Sequence, residues 1–187
     1  MSEGDAMVDA ELVLKFKGGE ESAFEALVRK YMTDAFTFCL HLTHDAQEAE
    51  ELSQQGFVSA YRALRGFRGE STFKSWLYRI FINLHRDQIR RTRRSEARLE
   101  VVREETRRRQ EAPTAEESSM HASELSDVVQ EKVELLPARQ REVLVLHLYQ
   151  GLDYHEIARI LGCTYDDVKM NLSLARKRLR LEMKEYL

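Results

Sequence analysis

Arg79, Asn83, Arg86 and Arg90 recur at steps of four, three and four within the stretch STFKSWLYRIFINLHRDQIRR. Helical spacing puts them on one face. Trp76, Tyr78 and Phe81 are interleaved with them, and Phe67 lies just upstream. Guanidinium groups suit phosphates, aromatic rings suit unpaired bases and an amide suits a base edge, so the set fits single-stranded DNA. Stacking one base on an aromatic ring is worth about 1–3 kcal/mol, comparable to the cost of unstacking it, so such a face can hold strands apart. In the competing reading the aromatics are core and the arginines are solvated. Helical periodicity favours that reading for Phe73 and Trp76, whereas the local charge excess favours function for Asn83, Arg86 and Arg90.

A second pattern spans Gly151 to Arg180. Asp153 with Glu156 three residues on reads as a capping box for the helix YHEIARIL, and Gly162 ends it in the left-handed conformation. Thr164 then caps a longer helix, YDDVKMNLSLARKRLRLEMK. Ile157, Ala158 and Leu161 face Val168, Leu172, Ala175 and Leu179, the arrangement of a helix-turn-helix whose second helix enters the major groove. Its outer side carries Lys169, Met170, Ser173 and Lys177, while Arg176, Arg178 and Arg180 suit phosphates or an acidic partner. Asp166 and Asp167 favour the helix macrodipole by roughly 0.3–1 kcal/mol each but repel phosphates, which makes them structural rather than base-reading. An ordinary helical hairpin is the alternative.

Enzymatic chemistry finds no comparable support. Cys39 and His41 are two apart on a helix and face different ways, so with His44 they make a core cysteine beside surface histidines rather than a metal site. No glycine-rich phosphate loop, catalytic triad or carboxylate pair stands out. No catalytic residue, metal or cofactor is therefore expected. Two cysteines fit a reducing, cytoplasmic setting. No run of about 18 apolar residues offers a membrane span, and the acidic start is no secretory signal.

The elements that must position these residues are helical. In 187 residues, 43% hydrophobic and 33% charged, there are only two prolines and eight glycines, which points to an all-α protein. Asp9 reads as the N-cap of a short helix carrying Leu12, Val13 and Phe16, stopped by Gly18-Gly19. A second helix runs from about Glu20 to Leu42, with Phe24, Leu27, Val28, Tyr31, Ala35, Phe38 and Leu42 on one stripe. Asp45 and Glu48 open a third through a capping box, and it carries Leu52, Phe57, Ala60 and Leu64. Ser71 caps the fourth, whose Phe73, Leu77, Ile80 and Leu84 form the core stripe. Four helices with short connections make a bundle over residues 1–94. Residues 95–127 form a flexible linker, helical at its start and poor in large apolar residues, with a coil span of about 30 Å. Residues 128–187 form the helix-turn-helix domain, where Val133, Leu136 and Pro137 precede ARQREVLVLHLYQG.

The net charge of −3 conceals a sharp segregation: −8 over residues 1–60, +9 over 61–109, −6 over 110–134 and +2 over 135–187. Local fields decide which polyanion a surface meets, because screening acts beyond about 8 Å.

The order DAQEAEELSQQGFVSAYRALRGFRGESTFKSWLYRIFINLHRDQIRR, then a tether, then LPARQREVLVLHLYQGLDYHEIARILGCTYDDVKMNLSLARKRLR resembles the extracytoplasmic-function (ECF) sigma factors of the sigma-70 family, over nearly the whole chain. The resemblance implies a front domain for core RNA polymerase and the promoter −10 element, and a tail domain for the −35 element. It implies that Glu50, Glu51 and Gln54 engage the polymerase clamp. It implies a pocket for a flipped −10 base at the loop Phe67–Ser71, which includes Arg68, together with Asn83. Arg86, Arg90 and Arg91 match the family's backbone-binding end, and Arg79, on the same helix face, is expected to meet the strand with them. Lys169, Met170, Ser173 and Leu174 fall where the family contacts −35 DNA, and Thr164 and Lys177 of the same helix-turn-helix are expected to join them. The sequence departs from the family at Gln55, where an acid is common, and at Asp167, Asn171 and Leu174; fewer cations there imply a shallower salt dependence or a different −35 sequence. The resemblance also implies control by an anti-sigma factor. The rival reading is a stand-alone helix-turn-helix regulator, which would need neither the acidic front nor the basic aromatic helix.

Overall fold

The Gly18-Gly19 pair, the caps at Asp45, Asp153 and Thr164, and Gly162 all interrupt the helical pattern where local chemistry requires it. The computed structural model describes residues 3–106 and 131–184, and among these every regular element is helical. The front domain comprises α1 (Glu3–Lys17), α2 (Ser22–Thr43), α3 (Ala46–Ala63), a 3-10 turn (Leu64–Gly66) and α4 (Phe73–Thr106). The tail domain comprises α5 (Ala138–Leu148), α6 (Tyr154–Leu161) and α7 (Tyr165–Glu182). A helical turn at 131–134 precedes Pro137, which lies just before α5. The centre of the expected linker lies outside the described residues, as do Leu125, Val128 and Val129, which the sequence pattern sets on one apolar stripe with Val133 and Leu136; α4 itself continues past residue 94 to Thr106.

The stripe of α2 is buried as the periodicity requires, with Leu27, Ala35, Phe38, Cys39 and Leu42 almost wholly shielded. Two caps differ from expectation. Asp9 does not start a helix: α1 begins at Glu3 and Asp9 is buried in its middle. The Tyr31 hydroxyl and, at 2.7 Å, Lys30 Nζ donate to its carboxylate. A buried charge needs such partners, and Asp9 finds them on α2 rather than on its own backbone. Ser71 does not cap α4 either. Thr72 Oγ1 accepts from the Ser75 backbone N–H at 3.1 Å, while Ser71 Oγ donates to the Thr72 carbonyl.

The core face of α4 also lies off the expected stripe. Phe73 and Leu77 are buried, but Ile80 and Leu84 are half-buried, and Tyr78, Phe81 and Ile82 are fully enclosed. The Phe38, Tyr78 and Phe81 rings pack together, with centroids 4.7–6.3 Å apart. Helix α3 approaches this cluster through Gly56. A Cβ added there would sit 1.9 Å from Phe81 Cε1. Glycine costs a helix interior about 1 kcal/mol relative to alanine, and the close approach is what it permits. Gly56→Ala is therefore expected to destabilise the protein by about 1–3 kcal/mol despite its better helix propensity. Urea unfolding of wild type and variant measures the difference, and an unchanged or raised midpoint would contradict the packing described.

Candidate polymerase and nucleic-acid interfaces

Ala49, Leu52, Ser53, Gly56 and Ala60 of α3 point inward. That register leaves Glu48, Glu50, Glu51, Gln54 and Gln55 on the exposed side. Asp45 caps the helix by accepting from the Glu48 N–H at 2.8 Å. Gln54 Nε2 donates to Glu50 at 3.0 Å and Gln47 Nε2 to Glu51 at 3.4 Å. The result is a ridge of carboxylates in solvent where, among the described residues, no cation is ion-paired with Glu50 or Glu51, suited to a basic protein surface.

The loop before α4 brings aromatic and cationic groups together. Phe67 leans on Trp76 with centroids 5.1 Å apart, and Trp76 leans on Phe73 at 5.8 Å. Lys17 donates to the Phe67 carbonyl and ties the loop to α1. A cavity of about 530 Å³ opens here, lined by Phe67, Arg68, Ser71, Trp76 and Arg79, with Arg159 of α6 across from them. Its size and its mixed aromatic and polar walls suit a nucleobase. Arg79 and Asn83 are exposed on the same helix, as are Arg90 and Arg91. Arg90 is ion-paired with Asp87. Tyr78 and Phe81, read as interleaved with this face, belong to the core instead; Phe67 and half-buried Trp76 supply its aromatic character.

Arg86 is held differently. Its Nε donates to Glu142 Oε1 at 2.8 Å and its Nη2 to Oε2 at 2.6 Å, a bidentate pair across the two domains. The Glu142 side chain is only 6% exposed, and its hydrogen bonds hold the Arg86 guanidinium above its ordinary pKa.

The tail bears out the helix-turn-helix reading. Asp153 and Glu156 form the reciprocal capping box, and Gly162 adopts φ 63°. Thr164 and Asp167 form a second box, in which Asp167 accepts from the Thr164 N–H at 2.9 Å and from its hydroxyl at 2.7 Å. Those bonds lower the Asp167 pKa and assign it to the cap; the Thr164 hydroxyl is occupied by the same box. Asn171 donates to the Asp167 carbonyl. Val168, Leu172 and Ala175 are buried, leaving Lys169, Met170, Ser173, Leu174 and Lys177 exposed on the outer side.

The sequence and the fold agree with known proteins over most of the chain. The family pattern for Sigma-70 region 2 matches residues 27–95, and that for Sigma-70, region 4 matches residues 126–179. The RNA polymerase sigma-H factor of Pseudomonas aeruginosa is 33% identical over 177 residues, covering 90% of each chain. The chain belongs to the ECF sigma factors of the sigma-70 family. The ECF sigma-E factor of Escherichia coli K12 is 29% identical over 178 residues, spanning 92% of this chain and 93% of its own. Among solved structures, the sigma factor RpoE bound to the anti-sigma factor NepR of Bartonella quintana shares 25% identity at a TM-score of 0.68, covering 86% of this chain and 96% of its own. CnrH in complex with the cytosolic domain of CnrY gives 25% and 0.69, covering 95% and 98%. Members of this family are non-catalytic initiation factors that bring core RNA polymerase to promoter DNA. Among the described residues, no helix is long and apolar enough to cross a membrane.

Within this sigma factor the tail domain is packed against the front domain, a role that the motifs assigned to none of the residues that join them. Lys74 Nζ donates to the Gln150 carbonyl at 2.8 Å, and Ser75 Oγ to Glu156 at 3.0 Å. Arg141 donates to the Leu42 carbonyl at 3.4 Å, placing a cation at the C-terminus of α2, where the helix dipole favours it. His41 stacks on Tyr149 with centroids 3.7 Å apart. A usable signal was present in Val143–Leu146: four successive apolar residues cannot share one face of a helix. His44 ends α2 in the left-handed region, at φ 59°, beside Arg141, His41 and His85. Glu134 Oε1 lies 3.0 Å from its Nδ1, yet burial first, and then the Arg141 guanidinium, push the His44 pKa down to about 4. A depressed histidine pKa means that the unfolded chain binds the extra proton. The stability gained from neutral His44 is therefore complete above about pH 6.5 and lost as pH falls toward 4. Denaturant midpoints measured across that window should fall in the wild type and fall less in His44→Asn, since asparagine tolerates the left-handed backbone; parallel curves would remove His44 from the acid response.

Proposed function

We propose that the two families of exposed groups divide the work of initiation. Glu50, Glu51 and Gln54 grip the clamp of core polymerase. Phe67, Arg68, Ser71 and Asn83 receive a base flipped from the −10 strand, while Arg79, Arg86, Arg90 and Arg91 hold its phosphates. Thr164, Lys169, Met170, Ser173, Leu174 and Lys177 meet the −35 element. Residues 1–94 act as the region 2 unit and 128–187 as the region 4 unit, with 95–127 spanning between them. The phosphodiester chemistry belongs to the polymerase, so this chain carries no catalytic group, and it works in the cytoplasm where the template is. An anti-sigma factor holds it in check, as suggested by the likeness to RpoE, a sigma factor bound to the anti-sigma factor NepR.

The observation that carries this reading is the pairing, on one chain, of an unneutralised carboxylate ridge on α3 with an exposed, capped recognition helix. A stand-alone DNA reader has no use for the first. Reconstitution with core polymerase, followed by sequencing of transcript 5′ ends, tests it directly. Glu50→Lys with Glu51→Lys should abolish polymerase binding while circular dichroism stays unchanged. Asn83→Ala should lower strand opening, read by permanganate reactivity, about tenfold with little loss of recruitment. Equal losses of both would remove Asn83 from the base pocket. Tight binding to a specific duplex without polymerase would instead support the stand-alone regulator.

A further inference from the structure

Arg86 cannot offer one edge of its guanidinium to two anions at once. The Nε–Nη2 edge of its guanidinium is taken by Glu142 through two parallel hydrogen bonds of 2.8 and 2.6 Å. A carboxylate and a phosphate present the same bidentate pair of oxygens to arginine. Arg159 and Ile160 of α6 close one side of the aromatic cavity, and the Ser75–Glu156 and Lys74–Gln150 hydrogen bonds pin α6 and its preceding loop over the start of α4. We propose that Glu142 is an intramolecular stand-in for a promoter phosphate, so that the packed arrangement of the two domains excludes the −10 strand and opening is required before DNA can bind. The proposal rests on the reading of Arg86 as a strand-binding residue.

The pair is built as a latch. Glu142 is shielded from water, and among the described residues its other ion-pair partner is Arg139, 3.6 Å away. Leaving Arg86 without rehydrating Glu142 strands a buried charge, so the bond breaks only when the domains separate. Domain separation and release of Arg86 are therefore one event. By contrast, Glu50, Glu51 and Gln54 stay exposed in the packed state, so polymerase can engage the front domain first and DNA afterwards.

The test uses the full chain without polymerase and a fluorescent single-stranded −10 oligonucleotide. Glu142→Gln should enlarge the radius of gyration by small-angle scattering and tighten oligonucleotide binding about tenfold, with Glu182→Gln as a neutral control. In an Arg86→Ala background, Glu142→Gln should no longer tighten binding. If Arg86→Ala weakens binding but Glu142→Gln changes neither size nor affinity in a protein of normal helicity, the latch is refuted and the strand-binding role of Arg86 stands. If adding Arg86→Ala to the Glu142→Gln chain leaves affinity unchanged, the strand-binding role falls and the latch with it. Should Glu142→Gln fail to fold, a Ser75→Cys, Glu156→Cys, Cys163→Ser chain bridged by a short bis-maleimide decides the matter. Bridging must suppress oligonucleotide binding relative to the same chain blocked with a monofunctional maleimide; equal binding refutes the proposal.

Discussion

Helix α5 has no side to spare for solvent along its middle turn. Glu142, Val143, Leu144, Val145 and Leu146 are consecutive, and all are buried. At 3.6 residues per turn such a run faces every direction, so the helix must be covered all round. Helix α7 covers one flank, and α2 of the front domain covers another. Enclosing each large aliphatic side chain contributes about 1.5–3 kcal/mol. That demand brings the domains together and sets where every polar contact between them falls.

The polar contacts follow from the apolar ones. Once α5 is enclosed, the charged residues on it are enclosed too, and each must be matched. Glu142 meets Arg86 and Arg139, while Arg141 turns to the carbonyls of Leu42 and Leu136. A buried ion pair offsets much of its attraction against lost hydration, so such contacts fix geometry more than they add stability. They also create an asymmetry between the two surfaces to which the proposed function assigns polymerase and DNA. The carboxylate ridge of α3 lies clear of the contact between domains, whereas the cationic face of α4 is partly taken up by it.

Helix ends were the most legible features. Asp153–Glu156, Gly162 and Thr164 act over three or four residues, and each appears in the structure where the pattern put it. The outward face of α7 follows from those ends and from the Val168–Leu172–Ala175 register. Asp9 and Ser71 show the limit of the same logic. Both are good capping types, but Asp9 is claimed by Tyr31 and Lys30 more than twenty residues away, and Thr72 takes the cap that Ser71 could have made. In α4 the aromatics were harder still. A helix with Trp76, Leu77, Tyr78, Ile80, Phe81 and Ile82 offers several adjacent stripes, and only the approach of Phe38 and Gly56 selects the one that is buried.

By itself the sequence determined the helical class, the two-part order of the chain, the segregation of charge and the shape of the DNA-reading motif. These depend on capping, periodicity and composition, which act between near neighbours. Only the tertiary structure decided that Arg86 faces a carboxylate 56 residues away and that His44 is buried beside Arg141. It also decided that Tyr78 and Phe81 belong to the core. Such pairings are set by how enclosed surfaces fit across the molecule, and no spacing along the chain encodes that fit.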